Sequence, residues 1–155
     1  MNRITVSLLI FCVLQSASCE ENRPLQTIGS NGESMIIGVT AGGKTVTVKL
    51  EENEAAQELI RRLQEDEITC TVDDYGGFEK VGPLGFDLPR NDSRTNVRSG
   101  DIVLYSGNQI VLFYGNNSWS YTRLGRAEDV SQDEWMDFLS AGAGEIEITL
   151  SLISE

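Results

Sequence analysis

The sequence contains no His, so the residue types that stand out for chemistry are cations, carboxylates and aromatics. That removes the commonest general base, the commonest metal ligand and any Ser-His-Asp triad. The richest stretch runs from residue 80 to 126. It holds Lys80, Arg90, Arg94, Arg98, Arg123 and Arg126 against Asp87, Asp92 and Asp101, a local excess of +3. One reading makes these cations a face for an anionic or carbonyl-bearing ligand. The other has them pair with acidic neighbours and balance charge. Arg90 shows the choice in small: it can pair with Asp87 or Asp92, or stand at the edge of a groove.

Aromatic residues crowd the same region, from Tyr75 and Phe78 through Phe86 to Trp119 and Tyr121. Trp119, within Asn-Asn-Ser-Trp-Ser, reads as a loop residue. It serves either as a platform for a ligand or as packing against the core. Cys70 alternates with Thr in Ile68–Val72; with no base to activate it, it reads as a small buried hydrophobe. The acidic pairs Asp66-Glu67 and Asp73-Asp74 lack calcium-loop spacing and read as solvated carboxylates. No metal and no cofactor are expected.

These residues must be positioned by a single domain, because the chain has 155 residues. Hydrophobic residues make up 40%, enough for a core. Twelve Lys and Arg face 24 Asp and Glu, for a net charge of −12. Nucleic acid is therefore not an expected partner, since phosphate binding needs clustered cations. Electrostatic attachment to anionic lipid is excluded on the same ground.

The first residues read as an address. Met1-Asn2-Arg3 precedes an apolar run from Ile4 to Leu14, suited to a signal-peptide core and too short to span a bilayer stably. Ser16-Ala17-Ser18-Cys19 is similar to a bacterial lipobox, in which the Cys thiol is acylated, although Ser16 stands where Leu is usual. The expectation is a signal peptide over 1–18, a lipid on Cys19 and a flexible tether over 19–34. It places the domain 35–155 at a bacterial cell envelope, with contact to the membrane only through Cys19. Ordinary cleavage, giving a secreted or periplasmic soluble protein, is the alternative.

Within the domain, Met35 to Leu50 predicts a hairpin turning at Gly42-Gly43. Asn53 is an expected N-cap for a helix that buries Ala56, Leu59, Ile60 and Leu63 and pairs Glu58 with Arg62 outside. Ile68 to Val72 predicts a strand, and Asp73 to Arg98 an irregular segment. Ile102–Tyr105 and Gln109–Tyr114 predict a second hairpin, and Tyr121–Leu124 a further strand. Ser131 to Glu134 forms a capping box for a second helix with an apolar stripe at Trp135, Phe138 and Leu139. Residues 145 to 152 alternate as a last strand. The pattern has no βαβ rhythm. It is mainly β, and a closed antiparallel β-barrel capped by two helices fits it.

The ordered blocks Asp74-Tyr75-Gly76-Gly77-Phe78-Glu79-Lys80-Val81-Gly82, Leu88-Pro89-Arg90-Asn91-Asp92, Ser99-Gly100-Asp101-Ile102 and Asn117-Ser118-Trp119-Ser120-Tyr121 carry a further signal. They resemble the bacterial cyclophilin-like domain family, small stand-alone proteins mostly without an assigned activity. The resemblance covers roughly residues 35 to 154 and implies a cyclophilin-type barrel. Phe78-Glu79-Lys80-Val81-Gly82-Pro83 looks like the Phe-His-Arg-Val-Ile-Pro segment of the prolyl isomerases. On that likeness Lys80 takes the place of the arginine that polarises the prolyl bond. Gln109 takes that of a glutamine bonding the peptide backbone, and Val111 that of the aromatic flooring the proline pocket. Lys lacks the planar fork of Arg, and the rim His has no counterpart.

The expected function is therefore an envelope-anchored binding domain and not an efficient enzyme; no residue is assigned a catalytic role. Its groove would be formed by Phe78, Lys80, Phe86, Gln109, Val111 and Trp119, with Arg90 at the edge. Lys80 and Gln109 would face a common hollow and bind an unidentified peptide or small carbonyl-bearing or anionic ligand. The alternatives are a prolyl cis-trans isomerase of low efficiency and a purely structural envelope protein.

Overall fold

The computed structural model describes residues 35–153 of the chain. The expected signal peptide over 1–18, the lipidation site Cys19 and the tether over 19–34 lie outside the described residues.

Nine strands and two helices follow one another as β1 (Ile36–Ala41), β2 (Lys44–Leu50), α1 (Glu54–Leu63), β3 (Ile68–Tyr75), β4 (Glu79–Pro83), β5 (Ser93–Val97), β6 (Asp101–Tyr105), β7 (Gln109–Phe113), β8 (Asn117–Ala127), α2 (Gln132–Phe138) and β9 (Ile146–Leu152). All strand pairings are antiparallel. Around the barrel the order is β2-β1-β9-β3-β4-β7-β6-β8, and β8 pairs back onto β2 through Val48↔Ala127 and Leu50↔Gly125. Eight strands thus close without an edge, which removes the row of unpaired backbone groups that an open sheet leaves. β5 stays outside the ring and pairs with the first half of β8.

Alternation sorts side chains to the two faces of this wall. Ile37 and Val39, Val48 and Leu50, Cys70 and Val72, Ile110 and Leu112, and Ile148 and Leu150 meet in one buried core. A second, smaller cluster of Val97, Val103, Val111, Phe113 and Tyr121 lies on the other face. β8 reaches both clusters by alternation, with Tyr121 in the second and Leu124 in the first, and a β-bulge opposite Ile102 and Val103 shifts its register so that Ala127 joins Leu124 on the core side.

The local signals explain the ends of the elements. Gly42 and Gly43 both have positive φ, as the tight turn between β1 and β2 requires. Asn53 caps α1 by accepting from the Ala56 N–H at 2.9 Å, and its amide donates to the Arg123 carbonyl of β8. Ala55, Ala56, Leu59 and Leu63 turn inward while Glu58 pairs outside with Arg61 and Arg62. Ser131 and Glu134 complete the capping box of α2. Trp135 is buried and donates its indole N–H to the Phe113 carbonyl at 2.8 Å, fastening α2 to β7.

Two expectations need correction. The segment from Asp73 to Arg98 contains β4 and β5, not irregular chain alone. Both strands lack apolar alternation: β4 reads Glu-Lys-Val-Gly-Pro and β5 Ser-Arg-Thr-Asn-Val. Trp119 lies in β8, not in a loop, because that strand starts at Asn117 and pairs with β5.

Candidate functional site

The outer face of β4, β7 and β8 carries a groove of about 430 Å³, lined by Tyr75, Phe78, Glu79, Val81, Tyr105, Val111, Asn117, Trp119 and Tyr121. Register explains the membership. Glu79 lies opposite Phe113 and Val81 opposite Val111, so these four share one face of the β4–β7 pair. Trp119 and Tyr121 sit two apart on β8 and face the same way. Val111 and Tyr121 are buried in the floor, whereas Trp119 is 57% exposed and forms a wall.

The groove is held by close aromatic packing. Phe78 stacks parallel to Phe113 with centroids 6.4 Å apart. Tyr121 meets Phe113 and Tyr105 edge to face at 5.6 and 6.1 Å. Asn117 donates its side-chain amide to the Tyr121 hydroxyl at 2.9 Å. The Phe78 carbonyl accepts from the N–H groups of Tyr114 and Gly115 at 2.9 and 2.8 Å. A Cβ on Gly115 would fall 2.7 Å from that of Phe78, so only glycine lets the two backbones approach this closely.

Glu79 is the ionisable acid of the groove. Its residue is 7% exposed, and its Oε2 is buried without a hydrogen-bond partner among the described residues. Burial pushes its carboxyl up to about 7, because desolvation disfavours the charged form. No cation stands among the lining residues.

Lys80, the next residue, faces the opposite way. It is 0% exposed and lies opposite Leu112 and Asp74 on the inner face. Its Nζ is 2.9 Å from Asp74 Oδ2 and donates to the Gly144 carbonyl. Asp74 also accepts from the Gly144 N–H at 2.7 Å and the Tyr114 hydroxyl at 3.0 Å. Burial alone would raise the Asp74 carboxyl, but bonds from Lys80, Gly144, Gly142 and Tyr114 outweigh it and hold the group at about 2. Burial and that carboxylate push Tyr114 up to about 12. This cluster ties the turn before β9 to the barrel wall.

The hollow expected to contain both Lys80 and Gln109 is therefore not formed. Gln109 lies on the outer face, opposite Pro83 and the lining residue Tyr105, but is not itself part of the groove lining; its amide donates to the Asn108 side chain at 3.4 Å. Phe86 packs against the main core beneath the Arg62 guanidinium, which sits 4.2 Å from its ring centroid. Arg90 forms an ion pair with Asp92, whose carboxyl is lowered first by the Thr122 hydroxyl bond and then by Arg90. Of the expected residues, the groove brings together Phe78, Val111 and Trp119 and leaves out Lys80, Phe86, Arg90 and Gln109. Reading by residue type missed Glu79, Tyr75, Tyr105 and Tyr121. The signal available for Glu79 was its parity with Val81 and, across the sheet, with Val111.

The cations of residues 80 to 126 largely balance charge. Arg123 and Arg126 both reach the buried Asp101, at 3.7 Å for Arg123, alongside the Lys80–Asp74 and Arg90–Asp92 pairs.

A closed eight-stranded antiparallel barrel carrying two helices is the architecture that the sequence resemblance implied. The model of the cyclophilin-like family matches residues 39–151, and the chain belongs to that family. Among solved structures, it is similar to the hypothetical protein AF2241 from Archaeoglobus fulgidus. The identity is 19% and the TM-score 0.59, over 81% of this chain and 99% of that one. It is also similar to McbB, solved in complex with tryptophan, at 14% identity and TM-score 0.53, over 77% of this chain and 45% of that one. At these identities the likeness is one of fold. No curated protein matches the chain.

Proposed function

We propose that the domain is a binding module, not an efficient enzyme, and that its outer aromatic groove takes a small molecule or a short peptide segment. The observation that carries this reading is the groove itself. Its volume falls in the range of ligand sites, its walls are aromatic, and one buried carboxyl lies within it. Prolyl isomerisation, the competing activity, needs a cation at the groove to polarise the prolyl bond. Lys80 is engaged by Asp74 on the inner face, which favours binding without catalysis.

The test is a titration of the ¹⁵N-labelled protein with the blocked tripeptide Ala-Phe-Pro and with phenethylamine. At least one probe is expected to shift the Trp119 indole and the amides of β4 and β7, and Trp119→Ala to weaken that response. Silence from both probes would overturn the reading. So would acceleration of prolyl-peptide isomerisation that Trp119→Ala abolishes, in favour of the isomerase.

We further propose that Cys19 carries lipid and holds the domain at a bacterial envelope, on the support of the apolar run and the small residues before Cys19. Among the described residues, no helix is long and apolar enough to cross a membrane. Mass spectrometry of the mature N-terminus is expected to find an acylated Cys19; an unmodified Cys19 or an intact Met1 would contradict the anchor.

A further inference from the structure

We infer that the occupant of this groove is an organic cation, an ammonium group on an apolar or aromatic stem, received by Glu79 inside a ring of aromatic side chains. The inference rests on reading the groove as a binding site and adds the chemistry of its ligand.

A carboxyl that is nine-tenths buried normally has a partner, because an unpaired polar atom away from water is costly. Glu79 Oε2 has none among the described residues, and the carboxyl belongs to the groove lining. The cations of the same chain segment are placed elsewhere. Lys80 is on the inner face, and Arg94 lies opposite Ser120, so it faces away from the Trp119 side of β8. Arg98 and Arg126 line a separate depression beside α2. None of these cations pairs with Glu79, so a countercharge for its ionised form would have to come from a ligand.

The surroundings suit a cation and oppose the alternatives. Tyr75, Phe78, Tyr105, Trp119 and Tyr121 line the groove around Glu79. Aromatic faces are negative, so they attract an ammonium group while shielding it from water. An anionic ligand would meet a buried acid with no compensating cation. A neutral alkyl ligand would seal Glu79 further and leave it unpaired.

The experiment compares phenethylamine with its neutral and anionic analogues, 2-phenylethanol and 3-phenylpropionate, by calorimetry and NMR at pH 8. The blocked tripeptide Ala-Lys-Ala is the peptide source of the same cation. Phenethylamine is expected to bind about tenfold or more tightly than the alcohol, as one ion pair or a desolvated cation–π contact allows. Glu79→Gln is expected to erase that preference while the alcohol still binds, with an unchanged spectrum outside the groove showing that the variant folds. Tighter binding of Ala-Lys-Ala than of phenethylamine assigns the cation to a peptide side chain and supports the inference. Equal affinity for amine and alcohol, preference for the propionate, or a preference that survives Glu79→Gln would overturn it and leave the groove as a binding site. Binding of neither these probes nor Ala-Phe-Pro would overturn both readings.

Discussion

Glu79 and Lys80 are consecutive in β4 and serve opposite sides of the barrel wall. Glu79 is buried in the outer groove without a partner, while Lys80 is sealed on the inner side against Asp74 at 2.9 Å. The two charges are neighbours in sequence and do not form a pair, because successive side chains of a strand point to opposite faces. One therefore ties the barrel wall together, and the other is the acid on which the proposed binding site rests.

The inner pair has a structural consequence. Lys80→Met keeps the volume and strands the Asp74 carboxylate beside an apolar side chain. Removing one partner of a buried ion pair costs about 3 kcal/mol, somewhat less here because Asp74 keeps its bonds from Gly144 and Tyr114. Urea denaturation is expected to show that loss, and Asp74→Asn added to Lys80→Met to recover part of it. A stability unchanged by Lys80→Met would contradict the placement.

The two carboxyls give opposite pH dependences. Asp74 is held at about 2, below its usual 3.8, so its contribution is present above pH 4 and is lost as the pH falls towards 2. Glu79 is raised from 4.5 to about 7. Between those values the native state keeps a proton that the unfolded chain has released, so stability falls as the pH rises and the whole penalty is present above 7. Glu79→Gln removes this term. The stability of the variant relative to the native sequence is expected to grow between pH 4.5 and 7 by on the order of 2 kcal/mol and then level off. A flat difference across that range would refute the desolvation of Glu79.

Trp119 separates binding from folding. It is 57% exposed on β8, so Trp119→Ala is expected to cost about 1 kcal/mol or less in denaturation and to weaken groove ligands severalfold. A variant that unfolds, or that binds unchanged, would show that the side chain packs instead of receiving a ligand.

Cys70 is buried in β3, and burial pushes its thiol up to about 11. Alkylation of the native protein at pH 8, followed by peptide mapping, is expected to leave Cys70 unmodified until denaturant is added. Rapid native labelling would show that β3 opens locally.

Much of the barrel is legible in the residues. The Gly42-Gly43 turn, the Asn53 cap, the Ser131–Glu134 box and the alternation from Ile146 to Leu152 each have a local cause and form where that cause lies. The site is legible only in part. Phe78, Val111 and Trp119 are drawn to the groove, but the face of Lys80 cannot be read from β4, which has no apolar stripe to show which side is inward. A likeness displaced by one residue then exchanges the roles of Glu79 and Lys80. The contribution of β5 is hidden for a related reason. Its residues are mostly polar and are recruited by pairing with β8, a long-range effect that no local pattern announces.

Whether the groove can receive a cation turns on the ionisation of the Glu79 carboxyl. A ¹³C NMR titration of that group in the folded protein is predicted to give a midpoint of about 7. A midpoint near 4.5 would mean a hydrated or already paired carboxylate and would contradict the site.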